Sequence, residues 1–133
     1  MKGIDHIGIA VFSIEERLPF YTDQLKFQHI KTEMVESEQV KVAFLDAINC
    51  KIELLEPISE SSAIYQFLQK KGEGIHHIAF ETGNIVEKIQ DLESQEIRMI
   101  NSVPKTGAGG AEIAFIHPKS AGGVLIELCE KKK

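Results

Sequence analysis

The chain contains two copies of one pattern. Residues 3–11 read GIDHIGIAV and residues 74–82 read GIHHIAFET, which places His77 71 residues after His6. Residues 50–56 read CKIELLE and residues 124–130 read VLIELCE, which places Glu127 74 residues after Glu53. The two offsets differ by three residues, a gap one loop can absorb. A chain of 133 residues holding such a repeat folds as one domain made of two similar modules, not as two independent domains. Each half opens on a His-bearing strand and closes on a Glu-bearing strand.

The segments between follow one order. Residues 4–11 are β-rich. Ser13 followed by Glu16 is a capping box that opens a helix to about Leu25, with Leu18, Tyr21 and Leu25 at helical spacing. Pro19 lies early in that stretch, where it shifts the helix start. Residues 27–35 and 40–45 alternate as strands, and residues 50–56 form a fourth. Residues 58–71 predict an amphipathic helix joining the halves. In the second half, residues 75–81 predict a strand and Asn84 caps a helix to about Ser94. Residues 98–100, 113–116 and 123–128 predict strands. The loop 104–110 is Gly-rich and expected to be flexible, and residues 130–133 are expected to be a solvated tail. The expected class is α+β: module one over about residues 1–57, a linking helix over 58–71 and module two over 72–129, each reading β-α-β-β-β.

Composition removes several functional classes. The chain is 43% apolar and 26% charged, enough apolar residues to form a core rather than stay disordered. Its formal charge is −5, against a nucleic-acid binder. No apolar run approaches the ~18 residues of a membrane span. The start, MKGIDH, lacks the apolar core of a secretory signal, so a cytoplasmic location is expected. The two cysteines, Cys50 and Cys129, are too few for a disulfide framework and are expected to be free thiols.

The repeat also marks chemistry. Glu53 lies between Ile52 and Leu54, and Glu127 between Ile126 and Leu128, so each carboxylate projects from the opposite strand face to its apolar neighbours. One such Glu is ordinarily a solvent-facing residue. Two His and two Glu at matched repeat positions are different, because pseudo-symmetry brings them about one axis. Two carboxylates brought together repel, whereas two Glu, two neutral His and one divalent cation sum to zero charge. Such an N₂O₂ set suits Zn, Co, Ni, Mn or Fe and leaves positions for water or substrate. His76 points away from His77 and reads as structural. His117, in the turn IHPK, and His29, on a strand, read as hydrogen-bonding or surface residues.

The strands IDHIGIAV, KIELLEP and GIHHIAFE, with HPKSAGGVLIEL, resemble the vicinal oxygen chelate superfamily, which holds glyoxalase I, the extradiol dioxygenases and the bleomycin resistance proteins. The stretch EGIHHIAF with HPKxxxGVLIEL is most similar to its methylmalonyl-CoA epimerases, and the similarity covers about residues 3–128. The resemblance implies paired βαβββ modules in an incompletely closed, U-shaped eight-stranded barrel. It carries the ligands of one divalent ion (Co, Zn, Mn or Ni) onto His6, Glu53, His77 and Glu127. It also implies an acyl-CoA substrate and a homodimer. The implied reaction is epimerisation at C2 through a metal-stabilised enolate, for which Glu127 is the expected base and Glu53 or a water on the metal its partner.

Two positions depart from the pattern. Glu53 stands where epimerases often have Gln, and Val42 stands where some carry a second catalytic Glu. Other members supply the alternatives: a glyoxalase I-type lyase acting on a thiol hemithioacetal, an oxygenase, which Glu53 disfavours, and a non-catalytic metal-binding or resistance-type module.

Overall fold

A computed structural model describes residues 1–132. Eight strands and three α-helices are present among them: β1 (Gly3–Ala10), α1 (Ile14–Pro19), β2 (Gln28–Val35), β3 (Val40–Asp46), β4 (Lys51–Pro57), α2 (Ala63–Lys71), β5 (Gly74–Glu81), α3 (Ile85–Ser94), β6 (Lys105–Thr106), β7 (Glu112–Ile116) and β8 (Ile126–Glu130). The expected α+β class and the β-α-β-β-β order of each half hold. The chain divides into two compact units, one of residues 6–76 and one of residues 1–5 with residue 77 onward.

In the first unit the strands lie in the order β2-β3-β4-β1, with β1 parallel to β4 and the other pairs antiparallel. One sheet face is covered by α1, where Ala43, Leu45 and Leu54 pack with Val11 and Ile14, and Leu18 and Tyr21 lean onto them. The second unit repeats this with β6-β7-β8-β5, with β5 parallel to β8. Here α3 packs Ile85 and Ile89 on Ala114, Ile116 and Leu128. Leu54 and Leu128 are wholly inaccessible, so each contributes about 1.5–3 kcal/mol of burial. These packed faces leave the other face of each sheet to Glu53 and Glu127.

Helices α1 and α3 each begin on two caps. Ser13 Oγ accepts from the Glu16 N–H at 3.2 Å, as the capping box predicts, and Asn84 Oδ1 accepts from the Glu87 N–H at 3.1 Å. A second cap comes from the last Glu of each repeated motif. Glu56 Oε1 accepts from the Ile14 N–H at 2.7 Å, and Glu130 Oε1 from the Ile85 N–H at 2.9 Å. A carboxylate there meets unpaired N–H groups and the positive end of the helix dipole. So the two glutamates of IELxE have separate duties, because residues three apart on a strand face opposite ways.

Several elements differ from expectation. The first helix is α-helical only to Pro19 and then widens into a π-type turn over Phe20–Gln24, where the Leu25 N–H reaches the Phe20 carbonyl. Pro19 has no N–H to continue the regular pattern. The linking helix starts at Ala63, not residue 58, because Ser62 caps it by accepting from the Ile64 N–H and a serine-rich turn precedes it. Residues 98–100 do not form a strand: Met99 makes only an isolated bridge to Ile116. There the Asn101 side chain accepts the Phe115 N–H at 2.8 Å, replacing a backbone ladder bond.

The Gly-rich loop carries a tight hairpin, β6–β7, in which the Gly107 N–H bonds the Ala111 carbonyl. A Cβ on Gly107 would lie 2.7 Å from Ile113 Cδ1, so a larger residue there would have to displace the Ile113 side chain. β8 begins at Ile126, three residues later than expected, because Gly122 and Gly123 take left-handed φ values of 65° and 93°. Nor is the tail simply solvated. Glu130 belongs to β8, and Lys131 Nζ lies 2.7 Å from Asp5 Oδ1. Lys133, the end of that expected tail, lies outside the described residues. No helix among the described residues is long and apolar enough to cross a membrane.

Candidate metal and active site

In the first unit, Glu53 lies directly across from Gly8 in the parallel β1–β4 pair. His6 is two residues earlier on β1, so both side chains project from the face away from α1. His6 Nδ1 and Glu53 Oε2 are 3.3 Å apart, and each residue is only 5% exposed. In the second unit Glu127 lies directly across from Ala79 in the parallel β5–β8 pair, and His77 is two residues before Ala79. His77 Nε2 and Glu127 Oε1 are again 3.3 Å apart, with exposures of 6% and 4%. The register relation is the same in both units. On β1 and β5 the residue across from each Glu is Gly or Ala, so no large side chain crowds the carboxylate from that side.

A carboxylate is rarely this buried without a counter-charge. Two ligands about 2.1 Å from one ion and separated by a right to tetrahedral angle lie about 3.0–3.4 Å apart. Each His–Glu pair meets that spacing, and each belongs to a set of candidate metal ligands. The donor chemistry and its geometry within each pair therefore fit a divalent ion.

Aromatic residues complete both pairs. Phe44 on β3 lies directly across from Glu53, and Phe115 on β7 directly across from Glu127. The edge of one ring meets the other at 5.9 Å between His77 and Phe115, nearly perpendicular at 88°. A lysine ammonium stands over each phenylalanine: Lys31 Nζ is 5.2 Å from the Phe44 centroid, and Lys105 Nζ is 5.9 Å from that of Phe115. Sequence reading missed these phenylalanines, although VAFL (42–45) and IAFI (113–116) repeat at the offset of 71 that separates the histidines. With β1/β5 and β3/β7 sharing one offset, the three extra residues fall between β7 and β8, in HPKSAGG.

Val42 occupies the same face as Glu53, 1% exposed, directly across from Leu55 on β4 and from Glu33 on β2. Glu33 was also missed: in the run KTEMV nothing but period-2 alternation separates it from a surface residue. Asp5 is a further buried carboxylate that the sequence did not single out, held by Lys131.

The remaining histidines follow expectation. His76 meets the Phe67 ring of α2 edge-on at 5.0 Å, and burial pulls its imidazole down to about 4, so it packs as a neutral group. His117 Nδ1 accepts from the Lys119 N–H at 3.1 Å and opens the turn before β8. His29 is exposed and 2.9 Å from Thr32 Oγ1. Both cysteines are free, with Cys129 buried.

Residues 5–115 match the Glyoxalase/Bleomycin resistance protein/Dioxygenase superfamily. The chain belongs to this superfamily. Its glyoxalase-like α+β fold follows the resemblance read from the strand motifs. Among curated relatives, the chain is 46% identical over 132 residues to the uncharacterized protein YqjC of Bacillus subtilis, covering 99% of this chain and 94% of that one. It is 40% identical over 126 residues to the mitochondrial methylmalonyl-CoA epimerase of Homo sapiens, covering 94% and 72%. Among solved structures, a variant of Streptomyces coelicolor methylmalonyl-CoA epimerase in complex with 2-nitronate-propionyl-CoA matches with a TM-score of 0.94 at 36% identity. That match covers 100% of this chain and 99% of that one.

Proposed function

We propose that this chain is a methylmalonyl-CoA epimerase that inverts C2 by proton transfer, with one divalent ion held by His6, Glu53, His77 and Glu127. The observation that carries the reading is the twofold recurrence of a buried His–Glu pair at one register and one spacing, in a chain similar along its length to such epimerases. Two Glu, two neutral His and one divalent ion sum to zero charge, which supports all four as ligands.

When bound, the ion supplies Lewis-acid stabilisation of the enolate that forms between thioester and carboxylate. The chain does the rest. Glu127 moves the C2 proton on one face of the substrate. Glu53, paired with His6, serves as a ligand. Lys105, over Phe115 beside His77, offers a cation for the acyl carboxylate or a CoA phosphate. We infer a homodimer from the superfamily resemblance.

A glyoxalase I-type lyase is the second reading, favoured by a carboxylate at Glu53. Proton NMR of methylmalonyl-CoA in D₂O, with protein stripped of metal and then reloaded with cobalt, separates the two. Loss of the C2 proton signal only after reloading is the expected result. No exchange with any divalent metal would overturn the epimerase and turn the search to thiol hemithioacetals.

A further inference from the structure

Inverting a carbon centre by proton transfer calls for a group that removes the proton from one face and a group that returns one to the other. Glu53 and Glu127 are each paired with a histidine as proposed ligands, and with Glu127 moving the C2 proton on one face the opposite transfer is open to a carboxylate outside the ligand set. On the helix-free face of the first unit, two other strand carboxylates are found among the described residues, Asp46 and Glu33. Asp46 lies at the far end of β3 and accepts the Ile48 N–H at 2.8 Å, which holds it in the β3–β4 turn.

Glu33 is placed differently. It lies on β2 directly across from Val42, which in turn lies across from Leu55, two residues along β4 from Glu53. Neighbouring strands are about 4.8 Å apart and a Glu side chain reaches a comparable length, so the carboxylate can overhang the short Val42 side chain. Lys31, two residues earlier on the same face, has its Nζ 3.3 Å from Glu33 Oε1 and 5.2 Å from the Phe44 centroid. Lys31 pairs across β3 with Phe44, and Phe44 with Glu53. The ion pair thus draws the Glu33 carboxylate along its strand toward the row that ends at Glu53. The Glu33 side chain is 30% exposed, open enough for substrate and proton to reach it.

We propose that Glu33 is the second acid–base residue of this site, oriented by Lys31; the assignment rests on the epimerase reading. In one direction a Glu33 carboxylate oxygen takes the C2 proton. The C–H bond breaks, an O–H bond forms, and the electron pair enters the thioester enolate. In the other direction the Glu33 carboxylic acid returns its proton to C2. Glu127 performs the matching transfer on the other face.

The test uses the full chain loaded with Co²⁺ and each C2 epimer of methylmalonyl-CoA separately, in D₂O. For Glu33→Gln, kcat for inversion falls by about 10²–10⁴. Deuterium wash-in without inversion persists from one epimer and is lost from the other, and Co²⁺ affinity stays within twofold of wild type. Glu33→Asp recovers part of the rate, and Lys31→Met lowers kcat by a smaller factor because the carboxylate is kept but not oriented. Unchanged kcat in Glu33→Gln would overturn the proposal while wild-type exchange leaves the epimerase standing. Equal loss of exchange from both epimers would overturn it too, making Glu33 a substrate-holding group. A wild-type chain that exchanges no C2 proton would overturn both.

Discussion

Glu127 stands on β8 as Glu53 stands on β4: each faces a phenylalanine on one neighbouring strand and a Gly or Ala on the other, with a histidine nitrogen 3.3 Å from its carboxylate. On the proposed function, removing either member of such a pair is expected to have two effects, on the ion and on the chemistry. In Glu127→Gln, kcat is expected to fall by about 10²–10⁴ and metal affinity to drop. In His77→Ala the metal is lost while the far-ultraviolet circular dichroism stays native. Titration with Co²⁺ alongside turnover checks both. Full activity in Glu127→Gln, or unfolding of His77→Ala with metal content retained, would remove those residues from the site.

The second glutamate of each motif should behave in the opposite way. Glu56→Gln and Glu130→Gln weaken the helix caps at Ile14 and Ile85. Each is expected to cost about 1 kcal/mol of stability with kcat and metal affinity unchanged. Urea unfolding beside turnover measures this. A large fall in kcat without loss of stability would mean that these carboxylates reach the substrate.

Glu73 links the start of α1 to the end of α2. It accepts the Phe12 N–H at 2.8 Å and lies 2.6 Å from Arg17 Nε. Burial alone would raise its pKa, but the hydrogen bonds from Arg17 and Phe12 outweigh that and hold the carboxyl below its usual 4.5. The folded state therefore binds this proton less tightly than the unfolded chain. Its stabilisation is full above about pH 4.5 and is lost as pH falls through the lower folded value. The gap in urea midpoint between wild type and Glu73→Gln should be widest near neutrality and close in acid. A gap that does not change with pH would mean the ionised carboxylate adds nothing.

Cys129 gives a check on packing in the second unit. Burial, with help from Asp5, Glu127 and Glu81, pushes its thiol up to about 12, and it is 1% exposed. Iodoacetamide at about pH 8 should alkylate the more accessible Cys50 and leave Cys129 untouched until the chain unfolds. Equal rates of labelling, read by peptide mass, would mean that β8 opens in the native state.

Much of the site was legible in the sequence because strand alternation and a repeat carry geometric information together. His6, Glu53, His77 and Glu127 could be singled out from matched offsets before any coordinate was known, and period 2 set each Glu against the apolar side of its strand. Helix capping at Ser13 and Asn84 was readable for the same local reason. Glu33, Asp5 and the capping role of Glu56 and Glu130 were not, since each depends on which strand lies beside it. Residues 98–100 have strand composition, yet the Asn101 side chain takes the bond a strand would have made, and no local pattern announces that substitution.

The sequence by itself determined the class of fold, the β-α-β-β-β order of each half and the recurrence of a His and a Glu at matched positions, since these follow from periodicity and repetition along the chain. Only the tertiary structure decided which residues face one another: Phe44 with Glu53, Lys31 over Phe44, Glu33 across from Val42, and a glutamate on the starts of α1 and α3. Cross-strand register is a long-range property, set by turns and packed faces many residues away, and the chemistry of this site is read across strands.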